Sequence, residues 1–553
     1  MAFSEKPTSN ASIEHHTPAL PKDDALPEDE IDESEYPTGL RFWAIVVALV
    51  LSIFLASLDL TIISTAIPTI TDRFQSLADV GWYASALFLP VAATQSMWGK
   101  AFKYFSVKAV FMFSIFVFEV GSLICAVSPN SNAFIAGRAI TGAGVAGTFS
   151  GCYIIIAFST PPKTRPAMTS ILGATYAVAS IVGPLIGGAF TNGIGWRWCF
   201  YINLPFGGLA AAAVLFSFKP PRAAAPVRVP LKEKLIQMDI QGTFLICASV
   251  VCYLLALQWG GVAKAWKSAD VVGCLVGFGL LALAFCVNEW WMGERALVHP
   301  QFLRHRTVMS GCLYSFFVAG AFYILLFYLP IYFQAVKGAS AVNSGIRLLP
   351  LILGMTLTQI VIGVTITVTG IWNPFQVAGA ALVTVGSGLL FTLSVTASSG
   401  HWIGYQVIAG IGLGMGFNVP IIVTQRIVKA SEVSTATAVI LFFQSLGGAL
   451  IVAAGQSIFQ NELIGKLAST TPEISPLSIA SADATTLRRL FTPEQLRGIL
   501  ESYVHGISMA FVLSIAVAAV ATLIALVPKW GRLPAHAAAA TSAERIESPI
   551  EEN

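Results

Sequence analysis

A single ionisable side chain, Asp59, interrupts an apolar run that begins at Phe42 and ends in LDLTIISTAIPTI (residues 58–70). An aspartate at the centre of a membrane-length helix costs roughly 2.5 to 3.5 kcal/mol on insertion scales, so its presence calls for a use. The opposite charge stands in another such run: Arg138, in GRAITGAGVAGTFSG from Gly137. Asp59 lies seventeen residues beyond Phe42 and Arg138 six residues past Asn132, in runs of opposite direction. At about 1.5 Å per residue both fall in the outer half of the membrane, where they could pair inside one water-filled cavity. The chemistry this predicts is proton exchange at the carboxylate, with the guanidinium favouring its charged form. The alternative is a buried ion pair that only fixes helix packing. Such pairs stabilise weakly, and charges inside the membrane mark functional sites by default, which favours the first reading.

A third ionisable group, Glu119 in VFEVGS, is eleven residues past Lys108 and so about 16 Å deep, near the midplane. No basic residue in the apolar part of another run matches its depth. Desolvation favours the neutral form of an unpaired carboxyl, so Glu119 suits either a second proton site or a neutral hydrogen-bond donor. Asp239 and Glu289, beside the loops, read as interfacial. His299, His401 and His505 stand isolated near membrane boundaries and give no metal site. The glycine patterns GAGVAG, GLGMG and SLGGAL lie inside apolar helix-length runs with no preceding strand, and no GxxxxGK[ST] occurs. They read as packing faces, which leaves no ATP-driven pump in this chain; no cofactor is expected, and the Asp59 reading makes protons the coupling ion.

The elements that must position these groups follow from composition. Of 553 residues 55% are hydrophobic and 11% charged, with a mean hydropathy of +0.74, against about a quarter charged in a soluble chain. The chain reads as an all-α polytopic membrane protein with fourteen runs of about 20 apolar residues, each long enough for a hydrocarbon core of about 30 Å. The net charge of +3 is too small to imply a nucleic-acid partner. The eight cysteines fall in or beside the runs without a CxxC pair, so neither a disulfide framework nor a zinc site is expected. Residues 1–40 read as a disordered acidic tail, with ten Asp or Glu against two Lys in the first 38 and no secretory signal pattern.

Fifteen Lys and Arg in the short loops on one side against six on the other predict that both termini are cytoplasmic. The sequon at Asn10 then lies on the wrong side for glycosylation. The Pro-rich basic stretch 219–238 reads as a cytoplasmic linker between a six-helix bundle over 41–218 and the rest. Residues 239–306 would be an inserted helix pair and 307–527 a second six-helix bundle. Its outer segment 459–503 carries a short helical cap that starts at Thr492-Pro493-Glu494. A cytoplasmic tail over 528–553 closes the chain.

Four stretches in the first half and two in the second carry a resemblance: GKAFKYFSVK from Gly99, GRAITGAGVAGTFSG, GATYAVASIVGPLIGG from Gly173, WRWCFYINLP from Trp196, GIRLLPLILG and GIGLGMGFNVPIIVTQ. With LDLTIISTAIP, they resemble the fourteen-span drug:proton antiporter branch of the major facilitator superfamily, and within it the fungal toxin-efflux members, from Arg41 to Val527. The resemblance implies two six-helix bundles plus an inserted pair. It makes Gly183, Pro184, Gly187 and Gly188 the antiporter motif of the fifth span, where on physical grounds a proline and close-packing glycines form a kinked helix contact. Gly99, Lys100, Lys103 and Lys108 fall in the inner loop motif. Lys103 and Ser106 stand where the family pattern has Asp and Gly, so an inner lock must use other partners or be weaker.

The function expected is proton-coupled efflux of hydrophobic or amphipathic small molecules, such as a fungal secondary metabolite, by a monomer in the plasma membrane. The alternatives are a proton-coupled importer or vacuolar transporter of a siderophore or basic amino acid, and a non-transporting membrane sensor. The expected cavity is apolar and aromatic, with Trp82, Tyr83, Gln95, Tyr176, Asn203, Phe322, Tyr323 and Gln444 as substrate contacts.

Overall fold

A computed structural model describes residues 33–76, 79–470 and 491–533. The acidic stretch before residue 33 with its Asn10 sequon, the tail beyond residue 533 and the centre of the outer segment (471–490) lie outside the described residues.

Long apolar runs become helices because hydrocarbon offers backbone N–H and C=O groups no other partner, and they do so even around Pro90, Pro184 and Pro330. The first six are α1 (Gly39–Ile62), α2 (Val80–Tyr104), α3 (Val107–Val127), α4 (Ser131–Ser159), α5 (Arg165–Asn192) and α6 (Asn203–Ser217). Then come α7 (Ile240–Trp259) and α8 (Ala269–Met292). The last six are α9 (Arg306–Ile331), α10 (Leu349–Thr369), α11 (Asn373–Phe391), α12 (Ser399–Gly416), α13 (Val433–Thr470) and α14 (Pro493–Ala525).

Among the described residues, thirteen helical segments are long and apolar enough to cross a membrane. The helix that falls short is α2, which has the length at 25 residues but carries Thr94, Gln95, Ser96, Lys100 and Lys103 in its second half. It packs between α4 and α13, so its polar residues face protein.

Helices α1 to α6 pack on one another, as do α9 to α14, and the two groups meet where α5 lies against α10 and α2 against α13. The pair α7 and α8 sits outside: α7 touches α2 and α13, whereas α8 buries only Val271 and Asn288. Near the ends of α1, α6, α10 and α14, Glu35 pairs with Arg222, and Leu533 N–H donates to the Gly370 carbonyl. Both ends of the described chain therefore lie on one face, the termini face, opposite a far face.

The outer segment differs from the expected separate cap. Thr492 and Gln495 form a reciprocal capping box, as the sequence predicts, but the helix they open runs unbroken into the last span as the 33-residue α14. Its neighbour α13 has 38 residues, about 57 Å at 1.5 Å each, and so outreaches a hydrocarbon core of about 30 Å. With no proline inside either helix, nothing ends them at the membrane boundary.

Candidate functional site

Asp59 is three residues from the end of α1 and Arg138 is in the second turn of α4. Arg138 Nη1 stands 2.6 Å from Asp59 Oδ2, and neither side chain has any exposed surface. The guanidinium also donates from Nη1 to the Asp59 carbonyl (3.3 Å) and from Nε to the Tyr83 carbonyl on α2 (3.1 Å). The other carboxylate oxygen, Oδ1, accepts from Asn203 Nδ2 on α6 at 3.2 Å, and the same amide nitrogen donates to Ser122 Oγ on α3 at 3.1 Å. Five helices thus converge on one carboxylate. Leu58, Ile62, Phe134 and Phe200 close around it as an apolar cluster. Arg138 can lie this deep because α4 packs through glycine: a Cβ on Gly142 would stand 2.3 Å from the Leu87 carbonyl oxygen of α2.

Glu119 lies one turn before Ser122 on the same face of α3. Both of its carboxyl oxygens are buried without a hydrogen-bond partner among the described residues. Opposite stands Gly207, one turn after Asn203 on α6, where a Cβ would lie 1.7 Å from Glu119 Oε1. The α3–α6 contact therefore carries the amide that holds Asp59 and, one turn away, a second carboxyl group.

The α5 motif positions the same carboxylate from the other side. A Cβ on Gly183 would stand 2.1 Å from Thr61 Oγ1, and one on Gly187 2.3 Å from the Ile62 carbonyl, so these glycines seat the end of α1 against α5 beside Pro184. Gly188 is different, with only Val342 within reach at 3.7 Å.

In the loop motif, Gly99 brings α2 onto α13: its added Cβ would meet Ala438 Cβ at 2.2 Å. Lys100, buried, donates to the carbonyl of Arg295, whose guanidinium is bidentate to Glu233 at 2.8 and 2.9 Å. Lys103 supplies a carbonyl to Val227 N–H, and Lys108 sits in the first turn of α3. With Lys103 in place of the family's Asp, the contacts at this face run to the segment after α8. Asp239, at the start of α7, is buried against protein there: it accepts from Gly242 N–H at 2.9 Å and from Asn288. Glu289 accepts from Leu297 and Val298 N–H. Desolvation there lowers the pKa of His299, which accepts from Gln301 N–H.

Between the two bundles lies a cavity of about 310 Å³. It is closed toward the termini face, where Arg165 Nη1 donates to the Gln425 carbonyl (3.1 Å), Gln425 Nε2 to the Tyr153 carbonyl (3.1 Å) and Ala167 N–H to Thr367 Oγ1 (3.1 Å). The hydroxyls of Tyr176 and Tyr323 meet across it. Toward the far face it reaches Tyr328, Phe459 and Gln460. At the far-face start of α2, hydroxyl donation from Ser131 and then Ser76 holds the Asp79 carboxyl below the usual carboxylate range.

Of the expected substrate contacts, Gln95, Tyr176, Tyr323 and Gln444 line this cavity, and Trp82, Tyr83, Asn203 and Phe322 do not. Asn203 and the Tyr83 backbone are spent on the Asp59–Arg138 pair, the Tyr83 hydroxyl donates to Ser131 (3.1 Å), and Phe322 packs behind the wall against Tyr176 and Phe417. Nor does the ion pair share the cavity. Leu60 faces it, and a neighbouring residue on a helix points about 100° away, so Asp59 is turned into the α4 side. Sequence reasoning passed over a readable signal: 441, 444, 445, 448, 449, 452, 453, 456, 459 and 460 all line the cavity, a stripe of helical period along α13 made largely of small and amide side chains.

Two helical bundles packed around a central cavity, with a buried ion pair beside it, define a polytopic membrane carrier. The chain belongs to the Major Facilitator Superfamily, whose family model matches residues 49–452. It is 44% identical over 500 residues to the probable efflux pump gsfJ of Penicillium aethiopicum (90% of this chain, 89% of the relative). It is 41% identical over 519 residues to the efflux pump roqT of Penicillium rubens (93% and 96%). Its fold is similar to that of the proton:xylose symporter XylE (TM-score 0.57, 14% identity, 89% and 97% covered). It is also similar to that of a bacterial homologue of the lysosomal transporter Spinster in an inward-facing state (TM-score 0.56, 16% identity, 89% and 98% covered).

Proposed function

We propose that this protein is a proton-driven efflux transporter of hydrophobic or amphipathic small molecules, with the far face extracellular, the termini cytoplasmic and the plasma membrane as its site. The observation that carries the reading is the fully buried Asp59–Arg138 pair, joined by Asn203, next to a cavity that lies between the bundles. The names of the relatives gsfJ and roqT, both efflux pumps, support the direction of transport.

A charged pair out of water holds only while both charges are present. Protonation of Asp59 removes the negative charge, so Oδ2 no longer attracts Arg138 and Oδ1 accepts more weakly from Asn203. The end of α1 is then held chiefly by its glycine contacts with α5, and Leu60, the next residue, carries any rotation of α1 to the cavity wall. Rocking of the bundles around the cavity would return the proton to the cytosolic side and re-form the pair. Loaded proteoliposomes with an imposed pH difference test this. Wild-type protein should pump and Asp59→Asn should bind cargo but not pump. Pumping by Asp59→Asn against a gradient would sink the proposal, and accumulation instead of depletion of cargo in cells would reverse the direction.

A further inference from the structure

Among the described residues that line the cavity none is charged, yet the lining holds unsatisfied amide groups. Gln95 is 1% exposed, and its Nε2 donates to the Ala146 carbonyl (3.2 Å) and to Ser150 Oγ (2.7 Å). A carbonyl can only accept, so the amide is fixed with Oε1 away from Ala146, and that oxygen has no partner. On α13, which packs against α2, Gln444 also lines the cavity, and its Nε2 is likewise buried without a partner. Phe88, Phe149 and Phe417 supply flat apolar walls beside Tyr176 and Tyr323.

We infer that the cargo is an uncharged molecule with an aromatic or flat apolar frame, which gives a hydroxyl or N–H to Gln95 Oε1 and a carbonyl to Gln444 Nε2. This rests on the cavity being the transport site. A buried donor or acceptor left unpaired costs more than a satisfied one, so a ligand that completes both amides is favoured over one that completes neither. An organic cation would lose its hydration here and find no counter-charge, because Asp59 is on the far side of α1 and already paired. Proton and cargo thus occupy separate sites and communicate through α1.

Equilibrium binding of tritiated estrone to the purified full-length protein tests the inference. Estrone is neutral and carries a phenol at one end of its frame and a ketone at the other. Saturable binding is expected, about tenfold weaker for the 3-methyl ether that lacks the donor, with no displacement by tetraphenylphosphonium. Gln95→Leu should weaken estrone binding about tenfold and no longer distinguish it from the ether, and Gln444→Leu should weaken binding of both. The ligand comparison on wild-type protein stands even where a variant does not fold. Absence of saturable estrone binding, equal affinity for estrone and its ether, or displacement by tetraphenylphosphonium at the concentrations where unlabelled estrone displaces would each overturn the inference. Because binding needs no gradient, protein that binds estrone in this way without pH-driven flux would fail the transport reading alone.

Discussion

Removing either member of the Asp59–Arg138 pair leaves a different problem behind. With Arg138→Gln a carboxylate remains fully buried without its cation, a defect of about 3 to 5 kcal/mol. With Asp59→Asn the guanidinium keeps the Asp59 and Tyr83 carbonyls as acceptors, so the loss should be smaller. The double variant carries no charge at either position. We expect it to recover at least half of the stability lost by Arg138→Gln, read as thermal midpoints in detergent, while pH-driven transport stays absent in all three. Additive losses would mean that the two residues do not act as a pair.

At the scale of elements, the adjacent glycines Gly187 and Gly188 answer different demands. A side chain at 187 meets the backbone of α1 at Ile62, where neither partner can yield without moving the helix that carries Asp59. Gly187→Val should cost about 1 to 3 kcal/mol by overpacking and abolish transport. Gly188→Ala, with its nearest neighbour at ordinary contact distance, should leave both the thermal midpoint and the flux close to wild type. Equal effects at the two positions would contradict the α1–α5 contact as the structure draws it. The same scale explains the inserted pair: α8 buries almost nothing, yet the segment after it accepts Lys100, so the pair is tied to α2 at the end where the loop motif has lost its usual acid.

For the whole molecule, closure on the termini face and a cavity that reaches toward the far face make accessibility a direct readout. Gln456, exposed on α13 and part of the cavity lining, lies beyond the midpoint of the helix on the far side, whereas Lys163 lies in the exposed turn between α4 and α5 on the termini face. In intact cells a membrane-impermeant maleimide should label Gln456→Cys and not Lys163→Cys above the background of the native cysteines, and permeabilisation should expose the second. The reverse pattern would invert the proposed orientation.

The sequence by itself determined the helices and the charges. Membrane-length apolar runs leave the backbone no alternative to helix, and Asp59, Arg138 and Glu119 stand out because every ionisable group in such a run carries a cost. Depth by counting was enough to bring Asp59 and Arg138 together, since a helix advances by a fixed rise. Rotation is what counting leaves open. Whether Asp59 or Leu60 faces the cavity, whether Asn203 meets cargo or carboxylate, and whether Trp82 or Phe88 lines the wall all depend on how each helix turns about its axis. That turn is set by contacts such as Gly183 on Thr61 and Gly142 on Leu87, between residues 122 and 55 positions apart in the chain. In a helix of one composition all round, such as α4 or α9, no amphipathic face announces which side packs. Only the assembled bundles decide it, because only there does backbone close against glycine.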